Sequence, residues 1–169
     1  DETIPYCWDW RRYQNWIKNG GVTTMFNFGY NRMDDLKNLD KKYDTFIRSL
    51  KPYVELDNCI LVHAGLNFKE EDVYKDTNSM YWIRNWYNDI DPTKIHNKII
   101  VHGHSARNYE TLQQDINEKK HLAINIDCGC VYHVKTGAGY LCALDLDTMQ
   151  PILQKNVDKI ERLENNSAT

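Results

Sequence analysis

Two stretches of the chain end alike: "CILVHAGL" at 59–66 and "KIIVHGHS" at 98–105 each run through branched apolar residues and stop at a histidine near a glycine. Imidazole is the usual nitrogen ligand for zinc, iron, manganese and similar ions. The glycine lets the backbone turn sharply and lets a ligand come close. Short continuous apolar runs suit strands covered on both faces. Ligand sites in α/β sheets lie outside the carboxyl ends of such strands. Two strands of this kind would bring His63 and His104 toward one point. A single histidine at a strand end is more often a hydrogen-bonded structural residue; the repeated context puts metal ligation on a par with that reading. His102 competes with His104. Residues two apart on a strand point the same way, but the rule lapses if the strand ends at Gly103, so spacing leaves open which of the two faces the site.

The elements that would position these residues read coarsely. "YCWDWRRYQNWIKNGG" predicts a helix over 8–18 closed by Gly20 or Gly21, with Trp8, Tyr13 and Trp16 able to share a face. "GVTTMFNFGYN" is β-prone and then loop. Tyr43, Phe46, Ile47 and Leu50 have helical spacing, with Asp40 as N-cap and Pro52 as the stop. Strands are expected at 59–63 and 98–102, in "HLAINIDCGC", in "GYLCALDLD" and in "PILQKNV". "SMYWIRNWYNDI" is a short helix with Ser79 as its cap. The polar tail from Asp158 is expected to end in disorder.

At 169 residues the chain is long enough for one domain, and 41% hydrophobic residues can build a core. The 21 basic and 24 acidic residues nearly balance at a charge of -3, which gives no support to a nucleic-acid or membrane-surface role driven by charge. No apolar run approaches the ~20 residues that span a bilayer, and the first residues show no secretory pattern. Five dispersed cysteines, an odd count, point to a reducing compartment, with the cytoplasm as default.

"LVHAGL", "WIRNWY", "VHGHS" and "INIDCGCVY…GYLCALDL" occur in the order found in the phosphoprotein phosphatase branch of the calcineurin-like metallophosphoesterases. The chain resembles its bacterial members in particular, including diadenosine tetraphosphate hydrolases and serine/threonine protein phosphatases. The likeness covers about 54–146, and "NWIKNGGVTTMFNFG" looks like the region after the family's third motif. The resemblance implies an α/β fold, part of a four-layer αββα sandwich, with residues 1–169 as the C-terminal portion of a single domain. It implies that His63 and His104 ligate one of two divalent metal ions (manganese, iron or zinc) and that Arg84 holds phosphate oxygens, a task that suits a planar guanidinium. His102 matches no ligand and reads as a supporting or packing residue. The implied reaction is hydrolysis of a phosphoester by metal-activated water, with metals about 3.5–4 Å apart. The substrate would be a phosphorylated protein, as in serine/threonine phosphatases, or a nucleotide, as in symmetrical dinucleoside polyphosphate hydrolases. A catalytically dead interaction or structural domain is the third reading.

The family's earlier motifs, GDxHG, GDxxDRG and GNH followed by an acid, are missing: the chain has no Gly-Asp pair, no Asn-His pair and no histidine before His63. The expectation is a truncated chain whose N-terminal βαβ motifs lie in a lost segment or come from a partner chain. This chain would then supply part of one metal site only. The segment from Val131 to Leu144 is longer than the family's usual turn, and its His133 and Lys135 are either substrate-side groups or solvated turn residues.

Rivals are weaker. "CGC" at 128–130 with His133 is too closely spaced for the usual paired zinc ligands and suits small buried residues instead. A thiol phosphatase needs an arginine closing the loop, and none follows until Arg162. Trp8, Trp10 and Trp16 cannot all share one helical face, so an interaction surface there is the remaining alternative. The isolated chain is expected to show no turnover of p-nitrophenyl phosphate with manganese, because a site stripped of half its ligands binds metal poorly. Robust turnover in that assay would show that the site has been misplaced.

Overall fold

The computed structural model describes residues 10–118, 122–132 and 137–157. They divide between Leu50 and Lys51 into two compact units.

The first unit is helical. Helix α1, Trp10–Trp16, runs into a wide turn at Ile17–Gly21, where Gly20 reaches φ 95 and breaks the helical path. Trp8 lies outside the described residues. Residues 22–27, expected to be β-prone, instead form helix α2, Val22–Asn27. The β preference of Val22 and Thr23 is a matter of packing against neighbouring strands more than of backbone preference. No described strand lies beside it, while Met25 is buried on the helix. A 3-10 turn at Met33–Asn38 leads to α3, Lys41–Ser49, where the Asp40 carboxylate accepts from the Lys42 amide at 2.9 Å and caps the helix. Leu50 is already extended, ahead of Pro52.

The second unit is built on a sheet in the order β1 (Tyr53–Glu55), β2 (Cys59–Val62), β3 (Ile99–His102), β4 (Ala123–Asn125). β1 is antiparallel to β2; β2, β3 and β4 are parallel. Helix α4, Thr77–Trp82, lies in the first crossover and α5, Tyr109–Glu118, in the second. β5 (Tyr140–Asp145) and β6 (Gln150–Lys155) form a separate antiparallel hairpin. This is a mixed α/β unit, and β1 is the strand that its short "YVE" stretch did not announce.

Both sheet faces are covered, which explains the continuous apolar runs. Ile60, Val62, Ile100 and Ala123 join one core with Leu66, Met80 and Trp86. Ile124 joins the other with Leu112 and Cys128, against which Cys142, Leu144 and Leu153 of the hairpin pack. Each fully buried isoleucine contributes about 1.5–3 kcal/mol relative to its exposed state. No helix among the described residues is long and apolar enough to cross a membrane.

Gly65 and Gly103 do different work. At Gly65, φ is 156 and a Cβ would lie 2.2 Å from Nε1 of buried Trp86, which donates to the Ala64 carbonyl at 3.1 Å. At Gly103 an added Cβ would meet nothing closer than the Asp127 Cβ at 3.4 Å. Gly65→Ala should therefore cost about 2–4 kcal/mol, while Gly103→Ala should stay within ~1 kcal/mol of the parent. Denaturant unfolding of the two variants checks this; equal losses would contradict the packing described.

Candidate functional site

The register of β2 and β3 decides which histidines meet. Leu61 pairs with Val101, so Val62 stands opposite His102 and His63 opposite Gly103, whose amide donates to the His63 carbonyl at 2.9 Å. The two matching histidines of the sequence echo, His63 and His102, are therefore out of step by one residue. His102 faces the Ile60–Ile100 core and is 3% exposed. His104, carried around the turn at φ 69, swings to His63 instead. His63 Nε2 and His104 Nδ1 lie 3.1 Å apart, with the ring planes at 61°.

Two nitrogen ligands about 2.0–2.1 Å from one tetrahedral ion sit about 3.3–3.4 Å apart, so the pair is close to the spacing that a shared cation needs. The same separation fits an N–H···N hydrogen bond. The rings can thus act as two lone pairs on a metal or as donor and acceptor to each other. Burial, then the nearby Arg84 charge, holds His104 below the ordinary imidazole range and favours the neutral ring that a metal requires. Among the described residues no group of three or more His, Cys, Asp and Glu side chains is placed to hold a metal ion. Two imidazoles fit a divalent ion as part of a ligand set rather than the whole of one.

Arg84 is brought to the same turn. Its Nη1 donates to the His104 carbonyl at 3.1 Å and to Ser105 Oγ at 2.9 Å. Among the described residues its Nε and Nη2 make no hydrogen bond, so one edge of the guanidinium is anchored and the other is presented. The supporting helix α4 is capped by Asp76, which accepts from the Ser79 amide at 3.0 Å and the Ser79 hydroxyl at 2.6 Å. Ser79, expected to be the cap, is three residues into the turn; the carboxylate takes the role because it lies where the free amides point. Trp82, at the end of α4, sets its ring edge-on to His104 with centroids 5.8 Å apart.

Residues not anticipated from the sequence complete the surroundings. Asn125 of β4 is 1% exposed and donates to the Ser105 carbonyl at 2.8 Å. Tyr87 OH meets His102 Nε2 at 2.9 Å, with the Arg107 guanidinium 4.7 Å above its ring. An asparagine in the middle of the apolar "LAINI" run was the available signal, since buried polar groups need partners. Cys128 sits in an apolar cluster, where burial pushes its thiol up to about 12, so it packs as a protonated small hydrophobe. His133 and Lys135 lie outside the described residues.

Comparison with known protein families, curated proteins and solved structures finds no match to this chain.

Burial pushes His102 down from 6.5 to about 4, with the Arg107 charge adding to the effect. Below pH ~6.5 the unfolded chain takes up a proton that the folded chain refuses until about 4, so stability falls as pH falls through that window. The loss should be about 1.4 kcal/mol per unit and roughly 3 kcal/mol in all. Denaturant unfolding across this range should show the slope, and His102→Phe should flatten it; an unchanged slope in the variant would assign the acid sensitivity elsewhere.

Proposed function

We propose that the second unit carries part of the metal- and phosphate-binding machinery of a metal-dependent phosphoesterase, nearest in kind to the serine/threonine protein phosphatases. The observation that carries the reading is the meeting of His63 Nε2 and His104 Nδ1 at 3.1 Å with Arg84 tethered to the turn that bears His104. Three residues from distant parts of the sequence, each of a type suited to this chemistry, converge at the carboxyl ends of two parallel strands. The motif order described above supports the same reading.

In this reading His63 and His104 hold one divalent ion, manganese, iron or zinc. Such an ion supplies Lewis acidity, neutralising phosphate charge and lowering the pKa of water. Arg84 offers its unanchored Nε and Nη2 edge to two phosphate oxygens, the bidentate arrangement a guanidinium favours. Its Nη1 anchor fixes that edge in place, so little ordering remains to be done when phosphate arrives. A general acid and carboxylate ligands come from a further segment or a partner chain.

Zinc titration followed by the imidazole NMR signals tests the reading. Signals of His63 and His104 should shift together, and His63→Ala and His104→Ala should each lower affinity by about tenfold or more. With the missing motifs supplied, Arg84→Ala should lower kcat for a phosphoester by about 10²–10³-fold, in line with loss of one transition-state donor. Zinc that leaves both rings unmoved would remove the reading.

A further inference from the structure

The geometry points to His102 and Asn125 as positioning residues that hold His104 in the conformation in which its Nδ1 faces His63. This rests on the reading of His104 as a metal ligand and concerns what keeps that ligand in place.

Three consecutive carbonyls of the turn are each taken by a different side chain. His102 Nδ1 lies 3.0 Å from the Gly103 carbonyl, Arg84 Nη1 reaches the His104 carbonyl, and Asn125 Nδ2 reaches the Ser105 carbonyl. Between them His104 adopts φ 69, a left-handed conformation that a residue with a Cβ holds only when its surroundings fix it. Arg84 is exposed, whereas His102 and Asn125 are buried and stand opposite each other in the pairing of β3 with β4. They are the buried polar side chains among the described residues, and both spend a hydrogen bond on the turn that carries His104.

The network fixes its own protons. A carbonyl only accepts, so His102 Nδ1 must carry the hydrogen. In the neutral ring Nε2 is then an acceptor, and Tyr87 donates its hydroxyl hydrogen there. The Asn125 amide donates to the Ser105 carbonyl, and its Oδ1 accepts from the Asp127 amide at 2.9 Å. Every polar atom of the pair has a partner, as a buried network requires. An apolar pair at these positions would fill the space equally well and leave the turn unheld.

The test uses the whole chain. His102→Phe and Asn125→Leu keep the bulk and remove the donors; His102→Asn restores an amide hydrogen near the place of Nδ1. Zinc affinity is measured by calorimetry near neutral pH, and the amide coupling constant of His104, which reports φ, is measured without metal. Leu112→Ala, in the opposite core, controls for lost stability and should leave both readouts unchanged. His102→Phe and Asn125→Leu should weaken zinc binding about 10–100-fold and shift the coupling, with His102→Asn recovering most of the loss; folded variants within about twofold of the parent and with an unshifted coupling would overturn the assignment. If His102→Phe does not fold, Tyr87→Phe, which removes one oxygen, should shift the same two readouts in the same direction. If the parent chain binds no zinc at His63 and His104, the metal reading fails by itself, and the His104 coupling constant decides the positioning role alone.

Discussion

The Gly103 amide donates to the His63 carbonyl across 2.9 Å, one step past the last residues of β2 and β3. That hydrogen bond continues the parallel register to the end of the sheet, and the site depends on it. It places His63 beside a glycine rather than beside a second histidine. It turns His102 into the core. It leaves His104 as the first side chain beyond the sheet able to swing back. A slip of one residue would exchange the faces of every side chain in β3, burying His104's neighbours and exposing Ile100. The core and the imidazole pair are consequences of the same alignment.

Around that alignment the molecule uses two kinds of interior. The sheet faces are packed with branched aliphatic residues and bury their backbone groups in ladder pairing. The region behind the turn is polar, with Tyr87 hydrogen-bonded to His102 and Asn125 donating to the Ser105 carbonyl. A polar interior is costly unless each group is satisfied, and it is directional when it is. The apolar core gives stability without specifying one orientation at the strand ends. The polar part specifies the orientation. Arg84 and Trp82 then frame His104 from the α4 side.

Much of this was legible in the amino-acid sequence. The uninterrupted runs "CILV" and "KIIV" announced doubly covered strands, and their histidines announced a meeting at one end. What spacing could not supply was the register, which rests on tertiary pairing, and so the roles of His102 and His104 stayed open. The helix α2 was hidden because Val22, Thr23 and Thr24 favour strands only when another strand is there to pack against. The cap of α4 was misplaced because Asp76 and Ser79 both satisfy the local rule, and only the fold shows which oxygen points at the free amides. Asn125 carried a signal in its polarity inside an apolar run. Tyr87 carried none, since an aromatic near Trp86 reads equally well as core.

His63 and His104 are 41 residues apart in the chain. Closing a loop of that length in a free, unstructured chain costs about 3 kcal/mol by ideal-chain scaling. The parallel crossover has met this entropy before any ion arrives. Two imidazoles that would be independent groups in a peptide are thus held side by side in advance, and a cation bound by both, as proposed, would inherit the organisation of the sheet.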